Sequence, residues 1–217
     1  MLVIVGTSVL LVSTVSRSDE TPSRAHFQWN WKDSQELSAE QSLRKANLTM
    51  LRRKAITSVI ADQLRPIMSE PGIVRTTTMS EIRSEAELRD AVLDTRITLI
   101  DLNGDGVPEV VAQGMVNCGA TGNCPFWAFR KTKVAYELLL YGEAQTFTIQ
   151  KSKTNGFHDI VLSTHGSSSS GGLVNYHYKE GVYQEAGCYD YDWTVLEGDE
   201  VRELSEPRVT PCSERNK

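Results

Sequence analysis

"DLNGDGVPEVV", Asp101 to Val111, sets oxygen-bearing side chains at alternate positions and glycine where a chain must turn hard. A hard dication such as calcium takes about six to eight oxygens at ~2.3–2.6 Å. Asp101, Asn103 and Asp105 occupy positions 1, 3 and 5 of such a loop. Val107 at position 7 offers its backbone carbonyl, and Glu109 at position 9 reaches the ion directly or through water. Gly106 falls at the sharp turn, and Gly104 adds backbone freedom. The plain alternative is an Asn-Gly/Asp-Gly turn with no ion. The offsets together favour a metal.

Two features separate this loop from an EF-hand. Position 12 is Ala112, where an EF-hand has a bidentate Glu. The flanks "ITLI" and "VVAQ" read as strands, and Pro108 suits no helix interior. The expectation is a strand–loop–strand hairpin holding structural calcium, with affinity on the order of 10⁻⁴ to 10⁻³ M, as in extracellular modules. On these residues the stretch resembles the calcium loop of FG-GAP/VCBS repeats, found in integrin-type propellers and many secreted bacterial proteins. The resemblance implies calcium held between two strands and implies nothing specific about activity.

Shifting the chain by fifty residues lays "LIDLNGDGVPEVV" over "IQKSKTNGFHDIV" without a gap. Gly106 then matches Gly156, Glu109 matches Asp159, and Val111 matches Val161. Lys151 and Lys153 replace Asp101 and Asn103, and ammonium groups repel a dication. Residues 95–145 therefore read as a calcium-loaded repeat, and 146–190 as a metal-free partner in which a lysine fills the ion's electrostatic place. Two repeats cannot close a propeller of ~4–8 blades. The expected fold is α+β: an antiparallel β-sheet, single or split into two packed sheets, built from two strand–loop–strand repeats and covered by an N-terminal helix.

That helix is expected over 38–66, with Leu48, Leu51, Ala55, Val59 and Ile60 as its apolar stripe, Ser38 and Gln41 as a capping box and Pro66 as its stop. "GIVRTTTM" reads as loop or short strand, and 83–92 as either a short helix or a strand. The sequon "NLT" at Asn47 falls inside the expected helix. The organisation is thus 1–25 signal peptide and linker, 26–94 helical part and 95–217 calcium-loop repeats, the last two forming one compact domain. "MLVIVGTSVLLVSTVS" has the length of a signal-peptide core, although no Lys or Arg precedes it. A buried N-terminal strand is the alternative. The run is short for a membrane span, so no transmembrane span is expected in the mature chain.

A net charge of −5 and the absence of any basic run argue against nucleic acid. Four cysteines suit two disulfides in an oxidising compartment. Cys118 and Cys124 enclose the small loop "GATGN", and Cys188 pairs by elimination with Cys212. A zinc site built from cysteines with His158, His165 or His177 is the rival, without C-x-x-C or paired-His spacing to support it.

"STHGSSSSGG" lacks a G-x-S-x-G nucleophile elbow and reads as flexible loop. Trp127, Tyr176, Tyr178 and Tyr183 read as core, with an aromatic binding surface as the alternative. Asp190 and Asp192 in "CYDYDW" fall on one face of a strand, as solvated acids, a weak cation site or a ligand rim. The functional expectation is an exported, non-catalytic module, secreted or periplasmic, that binds an unknown protein or glycan partner at the cell envelope. The alternatives are a secreted hydrolase using Asp159, Asp190 or Asp192 on envelope polymers, and a purely structural domain.

Overall fold

The chain was analysed as a computed structural model that describes residues 35–36, 41–68, 82–116 and 118–212. The segment read as a signal peptide and "GIVRTTTM" lie outside the described residues. In chain order the elements are β1 (Gln35–Glu36), β2 (Gln41–Ser42), α1 (Met50–Leu64), α2 (Glu85–Asp94), β3 (Arg96–Ile100), β4 (Glu109–Gln113), β5 (Cys124–Lys131), β6 (Tyr136–Ala144), β7 (Thr146–Thr154), β8 (Phe157–His165), β9 (Ser170–Lys179), β10 (Val182–Glu197) and β11 (Glu200–Pro211). The fold is mostly antiparallel β-sheet with two helices. One sheet runs β2-β3-β4-β5-β6 and the other β1-β7-β8-β9-β10-β11.

Alternation along the strands creates two cores. In the five-stranded sheet, Val110, Ala112, Trp127 and Phe129 share a buried cluster with Ile56, Ile60 and Leu64 of α1 and with Leu88, Ala91 and Val92 of α2. Their neighbours Val111, Phe126 and Ala128 point the other way, into a second cluster with Phe147, Ile149, Ile160 and Leu162 of the six-stranded sheet. The order of layers is therefore helices, sheet, sheet, and the central strands bury both faces. This explains why "FWAF" reads as a continuous apolar run rather than an alternating one.

The aromatic residues belong to these cores. Trp127 is fully buried, and Tyr178 and Tyr183 are buried with Phe157. Phe157 and Tyr178 stack at 3.9 Å between centroids, and Tyr183 meets Phe157 edge-on. They form no exposed binding surface.

The helix expected over 38–66 is shorter, and its stripe is one position out of phase. Gln41 and Ser42 pair with Ile97 and Arg96 as a strand, so the helix begins at Met50. Its buried residues are Ile56, Ile60 and Leu64, spaced four apart on one face. Leu51 is 73% exposed. Thr49 stands at the N-cap without a side-chain cap bond, so the start carries no strong local signal. Pro66 stops the α-helix as expected, within a single 3₁₀ turn at Arg65–Ile67. Asn47 precedes the helix, exposed, rather than lying within it.

Residues 85–94 are helical. Ser84 accepts from Glu87 N at 3.2 Å, and the Glu87 carboxylate accepts from Arg83 N at 2.6 Å. This near-reciprocal cap is written in the sequence as Ser84-x-x-Glu87. Arg65 pairs with Glu85 to tie the two helices, and Arg44 reaches Asp94 and Asp90 at 3.1 and 3.2 Å.

Both pairs of cysteines are disulfide-bonded, Cys118 to Cys124 and Cys188 to Cys212. No thiolate remains for a zinc site of the kind weighed above. Among the described residues, no helix is long and apolar enough to cross a membrane.

Candidate metal centre

Strands β3 and β4 pair from Arg96–Gln113 to Ile100–Glu109, which leaves Asp101 to Pro108 as the connecting loop. Gly104 and Gly106 both take left-handed backbone, at φ +83° and +81°, which disfavours any side chain there. Their placement bends the loop around the Asp101 carboxylate. Asp101 Oδ1 accepts from Gly104 N at 2.7 Å and Asp105 N at 3.2 Å, and Oδ2 accepts from Gly106 N at 2.8 Å.

Each polar side chain repeats this motif on a smaller scale. Asn103 Oδ1 accepts from Asp105 N at 2.8 Å, and Asp105 Oδ1 accepts from Val107 N at 2.7 Å. Asn103 Nδ2 donates to Asp105 Oδ2 at 2.9 Å. These turns compete with helix or strand and hold the loop's shape locally.

Glu109 closes the loop from its far end. It opens β4, is 2% exposed, and accepts from Leu102 N at 2.8 Å through Oε2. Leu102 is the anchor that sequence reading missed. It is fully buried in the core between the sheets, and its carbonyl accepts from His158 N at 2.8 Å. An apolar residue between two ligand positions was the available signal.

The electrostatics are opposed within this one loop. The backbone N–H of Gly106 leads a set that holds the Asp101 carboxyl below its ordinary value. Burial pushes Glu109 up, and the charges of Asp105 and Asp101 push it further. An ionised, buried Glu109 facing two aspartates is relieved by a cation. The donor set fits calcium: oxygen only, three carboxylates and an amide, at the offsets a calcium loop uses.

The structure brings Asp101, Asn103, Asp105 and Glu109 to one loop; Val107 is 42% exposed and bonds through its N–H. Among the described residues, no three His, Cys, Asp or Glu side chains converge as a group able to hold a metal. The carboxylates of this loop instead turn to backbone N–H groups.

A lysine also reaches the loop. Lys153 Nζ, from β7, donates to the Asn103 carbonyl at 3.3 Å and lies against Gly104. It serves the loop of the neighbouring hairpin rather than its own turn, which is the tight Asn155–Gly156 pair with both residues at positive φ.

Two of the three acids considered for hydrolysis have a basic side chain nearby. Asp159 is buried near His177, and Asp192 pairs with Arg208 at 3.5 Å. An open cleft of about 1000 Å³ lies where β10 and β11 diverge, lined by Ser168, Ser169, Asp192, Trp193 and Arg208 among others. No family model matches this chain, and neither a curated protein nor a solved structure matches it.

Proposed function

We propose that this chain is an exported, non-catalytic module whose β3–β4 hairpin is locked by structural calcium. The observation that carries the reading is the Asp101–Glu109 loop, in which a buried glutamate feels the charge of two aspartates and the loop's carboxylates are held by backbone N–H groups. Asp101, Asn103, Asp105 and Glu109 would hold the ion with their side chains, and Val107 with its carbonyl. Calcium supplies charge neutralisation there and no chemistry.

The loop is read as an FG-GAP/VCBS-type repeat, followed by a copy that lost its ion. Support comes from two successive four-stranded meanders, β3 to β6 and β7 to β10, in which corresponding strands follow the fifty-residue shift. Lys153 carries the cationic role of the second repeat to the loop of the first. The α1 helix covers the five-stranded repeat, while the second repeat stacks beneath it. Two disulfides suit an oxidising, extracellular or periplasmic setting.

The partner is a protein or glycan of the cell envelope, received at the cleft beside Trp193. That indole is partly exposed, with hydroxyls of Ser168 and Ser169 and the Asp192–Arg208 pair around it.

Thermal unfolding in calcium and in chelator tests the ion. With calcium at ten times a millimolar-range Kd, the stabilisation is about 1.4 kcal/mol. For a chain of this size that raises Tm by roughly 3–6 °C. Asp101→Asn abolishes the response. An equal Tm in calcium and chelator for the natural sequence overturns the reading.

A further inference from the structure

On β8, Ile160 and Leu162 enter the core between the sheets, so Asp159, Val161 and Ser163 face the opposite side. The register Ile160–Tyr176 and Val161–Asn175 puts Asn175 and His177 of β9 on that same side, with His177 beside Asp159. His177 Nε2 lies 3.9 Å from Asp159 Oδ2 and 3.2 Å from Asn175 Nδ2. Asp159 is only 5% exposed.

Two buried oxygens of this row have no hydrogen-bond partner, Asp159 Oδ1 and Asn175 Oδ1. Each such atom costs about 1–3 kcal/mol, so native folds hold few of them. At 3.9 Å the imidazole and carboxylate do not hydrogen-bond. The amide nitrogen facing Nε2 is a donor, which leaves Nε2 as a lone-pair acceptor. Exchanging the amide's oxygen and nitrogen would instead set its carbonyl oxygen at the same 3.2 Å. In that exchanged orientation, with the imidazole proton on Nδ1, an amide oxygen and a carboxylate oxygen both face the lone pair of His177 Nε2, at 3.2 and 3.9 Å.

Ligands about a zinc-class ion at ~2.0–2.1 Å stand roughly 3.3 Å apart in a tetrahedron. The separations of 3.2 and 3.9 Å bracket that value. We propose that Asp159, Asn175 and His177 form a binding site for a divalent transition-metal ion of the zinc class. The mixed nitrogen and oxygen set excludes a calcium site, which takes oxygens alone. No sequence spacing announces ligands supplied by two paired strands. The His177 side chain is 31% exposed, which gives the ion access and leaves positions for water. The site belongs to the six-stranded sheet and does not depend on the calcium loop.

The test is cobalt(II) titration of the tag-free full chain, stripped of metal and then supplied with calcium. The natural sequence takes up a single equivalent with visible d–d bands, which zinc(II) displaces. His177→Gln, at a partly exposed side chain, weakens uptake by roughly tenfold or more and removes the nitrogen-ligand signature. Asp159→Asn does the same, while Asp101→Asn keeps both bands and affinity, which separates this site from the loop. Absence of bands in the natural sequence, as a simple imidazolium–carboxylate pair would give, overturns the proposal. So do unchanged bands in a folded His177→Gln chain.

Discussion

At the scale of single residues, Glu109 has two opposed effects. Its raised pKa means that the folded state holds the proton more tightly than the unfolded chain does. The ionised form therefore opposes folding above the folded pKa, and that opposition disappears below the ordinary carboxylate range. A cation reverses the balance by using the same charge. Glu109→Gln keeps an acceptor for Leu102 N while removing the charge, so Tm curves of the two proteins should cross. In chelator at neutral pH the variant matches or exceeds the natural chain; in millimolar calcium it falls below it. A variant lower by the same amount in both solutions would mean that Glu109 acts through packing alone. Lys153 gives the complementary case, because its ammonium already sits at the Asn103 carbonyl. Lys153→Met removes that resident cation, so the gap in Tm between calcium and chelator should widen.

At the scale of elements, the loop and the Cys118–Cys124 disulfide were legible because their chemistry is local, and Cys188–Cys212 followed by elimination. Asp101 bonds to N–H groups three to five residues away, so the motif and its geometry are one fact. The cap at Ser84 was equally local, and reading Ser84-x-x-Glu87 as a start signal would have decided the second helix. The first helix was not legible to the same degree. Leu51 and Ile56 are equally apolar, and only the sheet beneath decides which one is buried. The energetic consequence is a contrast between two alanine substitutions. Ile60→Ala opens a cavity in the cluster with Trp127 and costs ~2–5 kcal/mol, whereas Leu51→Ala stays within about 0.5 kcal/mol. Urea denaturation measures both, and similar losses at the two positions would contradict the phase of the helix. The Asp159–Asn175–His177 row was illegible for a related reason: strand register joins those residues, and no spacing along the chain encodes it.

At the scale of the whole molecule, the weak point is the edge of the six-stranded sheet. Strand β11 is the last in the order, pairs only with β10, and is exposed over most of its length. A bare edge invites pairing with another chain. This one is interrupted by Pro207 and carries Arg202, Glu203, Glu206 and Arg208, which blunt it. Its pairing with β10 also breaks between Asp192 and Thr194, so the hydrogen-bonded ladder is split into two short runs. The Cys188–Cys212 bond ties the far end of β11 back to β10, across the run from Tyr189–Pro211 to Asp192–Arg208. On chain-entropy grounds a loop of this length contributes roughly 3.5 kcal/mol. Its loss should therefore act locally first, releasing β11 and baring β10, whose Leu196 and neighbouring Trp193 are already partly open to solvent. A Cys188→Ser/Cys212→Ser chain should lose amide-exchange protection in β11 before β8, and should self-associate with increasing concentration in light scattering. Protection lost uniformly across both sheets, with the chain still monomeric, would show that the bond stabilises the molecule as a unit and that the edge is guarded by its charges and prolines alone.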